Sequence, residues 1–206
     1  MTTAQEELAF IRKVMADSQT IIADDGKPGI VWAIIVSIGM TATYLVGLGI
    51  FDFDVSWLWI GLSALGWGYI SWYKSKKIKR DRMRTLAGKI IGSIWGACGF
   101  CIGLTITLVF VAPRVSGEWV IHPVAITSIV SIMLGMAYYV TGVVYGKTWV
   151  RYISFGWWLG AIGMIMWPTV HVLGIYTIML ILFQLVPGIV LYRQSKQALS
   201  NGALES

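Results

Sequence analysis

Charge is scarce in this 206-residue chain: Asp, Glu, Lys and Arg make up 13% of it, against 57% apolar residues. A water-soluble domain carries about 25% charged and ~45–50% apolar residues. So little charge cannot cover so much apolar surface for water. It equally excludes a disordered chain, which stays unfolded through high charge and low hydrophobicity, and a charge-rich coiled coil. Two cysteines are too few for a disulfide scaffold, and five prolines without a glycine period exclude collagen. Walker A, HExxH, Gly-x-Ser-x-Gly and dinucleotide-binding patterns are all missing.

What the chain has instead is a set of long uncharged runs and a mean hydropathy of +0.73. Six of these runs are close to the ~20 residues that cross a bilayer as a helix. They predict an all-α integral membrane protein, a six-helix bundle with spans over about 29–51, 55–73, 89–111, 122–144, 153–170 and 173–192. Asp52-Phe53-Asp54 makes a tight hairpin of the first two spans, with Asp54 or Ser56 placed to cap the second. His171-Val172 does the same for the last two. Pro28 and Pro123 suit first helical turns, and span 3 is expected to stop before Pro113. With no long linker, residues 29–192 read as one transmembrane domain.

Residues 1–28 read as a cytoplasmic amphipathic segment, because Leu8, Ile11, Val14, Ser18 and Ile22 recur at spacings of three and four. They contain no apolar core of the kind a cleaved signal needs. Residues 193–206 read as a cytoplasmic tail. Loops rich in Lys and Arg stay in the cytoplasm, and every basic residue except Arg114 falls on one side of the six spans. Both termini are therefore expected inside. Trp32, Trp72, Tyr73, Tyr145, Trp149, Tyr152 and Tyr192 gather at the inner boundary, and Trp57, Trp59, Trp119 and Trp167 at the outer one. The loop between spans 2 and 3 holds Lys76, Lys77, Lys79, Arg80, Arg82 and Arg84. Each such residue gains ~1 kcal/mol near an anionic leaflet, so lipid headgroups account for the cluster without a nucleic-acid partner.

Span interiors contain no Asp, Glu, Lys, Arg or His. Proton relays and buried acid–base chemistry need such groups, so the expectation is a protein that is not an enzyme and has no cofactor. Four smaller signals remain. Cys98 and Cys101 lie near mid-bilayer with Met40, Met133, Met136, Met164 and Met166, a soft-sulfur set of the type that selects Cu(I); apolar packing is the plainer account. His122 and His171 share the outer face with Asp52, Asp54 and Glu118, which permits a zinc or pH-sensing site without requiring one. Gln184, just before Pro187-Gly188, can line a kinked path or hydrogen-bond across helices. Gly88, Gly92, Gly96, Gly99 and Gly103 fall within an arc of about 80° at ~100° per residue. That arc predicts a helix-packing face with neighbours on two sides of span 3, Ile94, Cys98, Cys101 and Thr105 opposite it, and Phe100 toward lipid.

The run Phe10-Ile11-Arg12-Lys13-Val14-Met15-Ala16-Asp17-Ser18, followed by Asp24-Asp25-Gly26-Lys27-Pro28 and a Trp-containing span, resembles the start of a group of uncharacterised bacterial six-span inner-membrane proteins. The resemblance implies a bacterial inner membrane and brings no functional residue with it. Three functions stay open on sequence: association with a protein partner or a second copy, a carrier or binding subunit for a neutral or hydrophobic small molecule, and a Cu(I) or thiol protein. Association is the expected one, in contact with an anionic inner leaflet.

Overall fold

The computed structural model describes residues 26–80, 86–118, 121 and 124–202. All regular structure among them is helical: α1 (Lys27–Gly47), α2 (Val55–Arg80), α3 (Leu86–Ser116), α4 (Ala125–Val144), α5 (Thr148–Met166), α6 (His171–Leu180), a π-helical turn Ile181–Leu185, and α7 (Val186–Gly202). The last three are consecutive and form one rod. The amphipathic segment expected over residues 1–25 lies outside the described residues, as do Arg82, Arg84, Trp119, His122 and Pro123.

Each expected run matches a helix, with ends moved by local chemistry. α1 stops at Gly47, short of Phe51, because Gly49 adopts φ +72°. The Ile50 N–H reaches Leu45 O at 3.0 Å and the Gly49 N–H reaches Val46 O at 2.9 Å, the paired bonds of a left-handed helix stop. Gly146 repeats this after α4 with φ +63°: the Lys147 N–H bonds Gly142 O at 3.0 Å. The turn after α4 is therefore only three residues long, and α5 begins at Thr148 rather than at residue 153. The α5–α6 turn lies at residues 167–170, not at His171-Val172, since Pro168 disfavours helical geometry at Trp167 (φ −129°, ψ 72°). His171 opens α6.

α2 continues through the basic run to Arg80, whose Lys and Arg residues are good helix formers. α3 passes Pro113 and ends only at Gly117, φ +75°. Proline removes one backbone donor there, and the Arg114 guanidinium donates to Phe110 O in the same turn. The α6–α7 rod runs on to Gly202, so most of the expected tail is helical.

Four rods, α1, α3, α4 and α6–α7, are long and apolar enough to cross a membrane. α2 and α5 fall below them in hydropathy because Trp, Tyr, Gly and Ser take many of their positions. Aromatic rings with an N–H or O–H are apolar bodies with one polar handle; Trp59 and Trp158 use theirs, whereas the Trp157 N–H has no partner among the described residues. α2 lies antiparallel on α1, α1 on the α6–α7 rod, and that rod on α5 and α4; α3 lies on the far side of α4. Two helices adjacent in sequence, α2 and α3, thus sit on different flanks.

The core is aromatic and sulfur-rich. Trp157, Met164, Leu180, Val150 and Val172 are fully buried, with Tyr138, Tyr176 and Met179 around them. Trp157 stacks on Tyr138 (ring centroids 6.5 Å apart) and meets Tyr176 and Phe183 at 6.0 Å each; Trp95 stands edge-on to Tyr138 at 5.2 Å.

Candidate functional site

Helices approach one another here by seating a large side chain in the space that a glycine leaves. Trp59 of α2 covers Gly39 of α1, and Trp32 of α1 covers Gly66 of α2. Trp158 of α5 covers Gly135 of α4 while its Nε1–H donates to Ile132 O at 3.3 Å. Phe183 and Met179 fill the notches at Gly156 and Gly160 of α5, and Tyr44 that at Gly174 of α6. Trp59 is further tied by its Nε1–H to Thr43 Oγ1 at 3.0 Å. These pairings make Trp32 and Trp59 interhelical knobs rather than boundary anchors, whereas Trp57, Trp72 and Trp167 remain exposed.

The glycine face expected to pack span 3 is the exception. A Cβ placed on Gly92, Gly96, Gly99 or Gly103 would meet nothing within 4 Å. Among the described residues α3 lies on α4, with Cys98, Ile94 and Trp95 turned to the core, and Ile91 and Val109 are also buried. The Trp95 Nε1–H donates to Thr141 Oγ1 at 3.1 Å, and the Cys98 thiol lies 3.7 Å from Met133 O. The physical reason is chain geometry, since α2 goes to α1 and leaves that flank of α3 without a neighbour among the described helices. Gly88 makes a contact of its own. Phe100 faces outward, 71% exposed.

The soft-sulfur set is divided. Met40 and Cys98 are buried in the central core with Met133 packed against it, as is Met164, but Cys101, Met136 and Met166 are exposed. Cys98 and Cys101 lie only about 60° apart around the helix, but the edge of the core falls between them: Cys98 is buried and Cys101 exposed. Among the described residues no group of three or more His, Cys, Asp or Glu could hold a metal ion.

Gln184 lies buried in the π turn, where the Val186 N–H reaches back five residues to Ile181 O. A π turn widens the helix just ahead of Pro187, relieving the clash between its ring and the carbonyl four residues before. The expected kink is taken up as this bulge. Ser37 Oγ, Ser128 Oγ and Trp157 Nε1 are buried without a hydrogen-bond partner.

At the end of the bundle where α1 and α6 meet, His171 Nδ1 and the Tyr44 hydroxyl lie 3.0 Å apart. The pair heads a recess of about 400 Å³ lined by Thr41 and Tyr44 of α1 and by His171, Gly174, Ile175, Thr177 and Ile178 of α6. His171, Ile175, Ile178 and Thr41 are exposed, so the recess opens sideways from the bundle. Tyr44 was not legible as a site residue; its spacing from the glycine of a distant helix carries no local signal.

At the opposite end, Lys76 sets its Nζ 4.2 Å over the Trp72 ring. Lys147 donates to Gln194 Oε1, fastening the α4–α5 turn to α7, and partial burial holds its pKa below the usual lysine value. The side chains of Lys77, Lys79 and Arg80 are not among those described.

In comparisons with protein-family models, curated proteins and solved structures, nothing matches this chain. The functional argument rests on the chemistry above.

Proposed function

We propose that the chain is a six-span bacterial inner-membrane protein, both termini cytoplasmic, that acts by associating with a partner in the plane of the membrane rather than by catalysis. α2 and α5 count as spans in this reading because each lies antiparallel along a helix long and apolar enough to cross. The basic end of α2 then meets the anionic leaflet, with Lys76 held on Trp72.

The observation that carries the association is the bare glycine line of α3. Glycine within a helix costs ~0.5–1 kcal/mol relative to alanine, and small-residue lines in lipid repay that cost when another helix approaches closely. Among the described residues no helix does so at Gly92, Gly96, Gly99 or Gly103. A second copy or another membrane protein supplies the missing surface.

The test is purification in mild detergent, with oligomeric state and co-purifying proteins measured for wild type, Gly92→Leu, Gly96→Leu and Phe100→Leu. The two glycine variants should lose the associated species while Phe100→Leu keeps it. Unchanged association in both glycine variants would show that this face meets only lipid. Terminal tags probed with an impermeant reagent on intact cells test the orientation; labelling of either end from outside would refute it.

A further inference from the structure

The recess between α1 and α6 combines features that neither the helix packing nor the α3 face explains. Its polar end is built: the Tyr44 ring is seated against α6 by Gly174, where a Cβ would come within 3.2 Å of it, and its hydroxyl is fixed 3.0 Å from His171 Nδ1. The two rings meet edge-on with centroids 6.0 Å apart. Its long wall is mainly apolar, the Thr177 hydroxyl there donating back to Leu173 O at 2.9 Å. Ile175 and Ile178 follow His171 along α6 at helical spacing, so the wall runs ~10 Å from the helix end toward its middle at 1.5 Å per residue.

The hydrogen-bonding capacity of the pair is definite. If the phenol donates to Nδ1, then Nε2 carries the outward N–H and the phenol oxygen keeps an acceptor site. If Nδ1 carries the proton, the phenol O–H becomes the outward donor and Nε2 the acceptor. Either tautomer offers one donor and one acceptor. Among the described residues no Asp, Glu, Lys or Arg lines the recess, so a charged head would lose its hydration without a counter-charge. A volume of about 400 Å³ holds roughly a dozen groups of water size, at ~30 Å³ each. That is room for a small polar head and the first part of one chain.

We infer that this recess binds a single-chain neutral amphiphile of the monoacylglycerol class, its hydroxyl-bearing head on Tyr44 and His171 and its chain along Ile175 and Ile178. The mouth opens to the side of the bundle, so the ligand enters from the bilayer. The site lies on α1 and α6, and its occupancy is independent of what covers α3.

The experiment uses the full chain in nanodiscs of phosphatidylethanolamine and phosphatidylglycerol, with a monoacylglycerol carrying a photoreactive diazirine in its chain. Labelled peptides are mapped by mass spectrometry. Labelling should concentrate on residues 171–178 and 41–44 and should be competed by plain monoacylglycerol but not by a lysophosphatidate of the same chain. Tyr44→Phe keeps the ring in its glycine notch and removes one hydrogen bond, so about three- to tenfold weaker competition is expected. Thr41→Trp fills the mouth from an exposed position and should abolish labelling with the unfolding midpoint unchanged. Wild-type labelling in both variants would overturn the proposal. So would equal labelling of the same peptides by a two-chain phospholipid carrying the same diazirine.

Discussion

Gly135 and Gly142 of α4 lie under Trp158 and Arg151 of α5, whereas Gly92, Gly96, Gly99 and Gly103 of α3 lie under none of the described residues. Each set falls on one face of an apolar helix, seven residues apart in α4 and three or four apart in α3, so each can seat a neighbouring helix. What separates them is the helix opposite. α4 and α5 are joined by three residues and forced into antiparallel contact, so a notch on one must meet a knob on the other. α3 follows a longer basic connection and, among the described helices, packs mainly on α4, on the face that carries no glycine line. Glycine spacing therefore marks a capacity for close approach, and chain connectivity decides whether that capacity is used within the molecule.

The filled side of this comparison yields the largest expected effect. A Cβ on Gly142 would stand 2.6 Å from the backbone nitrogen of Arg151, and backbone cannot swing aside as a side chain can. Gly142→Ala should cost about 3 kcal/mol or more in unfolding titrations in detergent, at or above the upper end of overpacking costs. Gly160→Ala presses instead on the flexible thioether of Met179, and about 1 kcal/mol is expected. Equal losses in the two variants would mean that the yielding of the neighbour does not set the cost.

The open side predicts the reverse. Gly96→Leu adds a side chain into free space and removes a helix-weakening residue, so the stability of the single chain should stay level or rise by up to ~1 kcal/mol. Its effect should appear only in the associated species, read by light scattering in detergent. A marked fall in the unfolding midpoint of dissociated chains would place an unseen neighbour of the same chain on α3.

Much of the fold was legible because membrane crossing demands long uncharged runs, and six such runs mark the six rods. Helix ends were less so. The stop at Gly49 depends on its positive φ, and the passage of α3 through Pro113 depends on how freed carbonyls are satisfied; neither is written in composition. The candidate site was least legible. Tyr44, His171 and Gly174 meet only because α1 and α6 are antiparallel neighbours, with more than a hundred residues between them. Cys98 and Cys101 are neighbours on one side of α3, yet the edge of the core falls between them and leaves one buried and the other exposed. Trp59 looked like a boundary residue, but Gly39 draws it between helices.

That Trp59–Gly39 contact offers a finer test of how a filled notch is held. The notch provides space, and the Thr43 hydroxyl, itself donating to Gly39 O at 2.8 Å, accepts from the indole N–H and fixes the ring's orientation. Thr43→Val keeps the shape and removes the acceptor, leaving a half-buried N–H without its partner. About 1 kcal/mol of destabilisation is expected. In a double-mutant cycle with Trp59→Phe most of that loss should disappear, because the second variant no longer carries the donor. Full additivity would assign the packing to the notch alone.

The smallest effect is expected where α2 begins, since the register of α2 decides whether its Trp and Gly residues meet those of α1. The Asp54 carboxylate accepts the Ser56 N–H at 2.8 Å, satisfying one of the donors left free at a helix start. The hydrogen bonds from Ser56 hold the Asp54 pKa below its ordinary value of 3.8. A carboxylate whose pKa falls on folding stabilises the folded state above its unfolded pKa and loses that contribution as pH drops through the folded value. Asp54 is fully exposed, so water screens much of this gain, and Asp54→Ala should lower the unfolding midpoint less than Thr43→Val does. The difference between wild type and Asp54→Ala should be constant from pH 5 to 8 and shrink as pH falls below about 4. A difference that instead widened in acid would mean the carboxylate opposes the helix start, and that the α1–α2 register is set by the tryptophan notches without help from the cap.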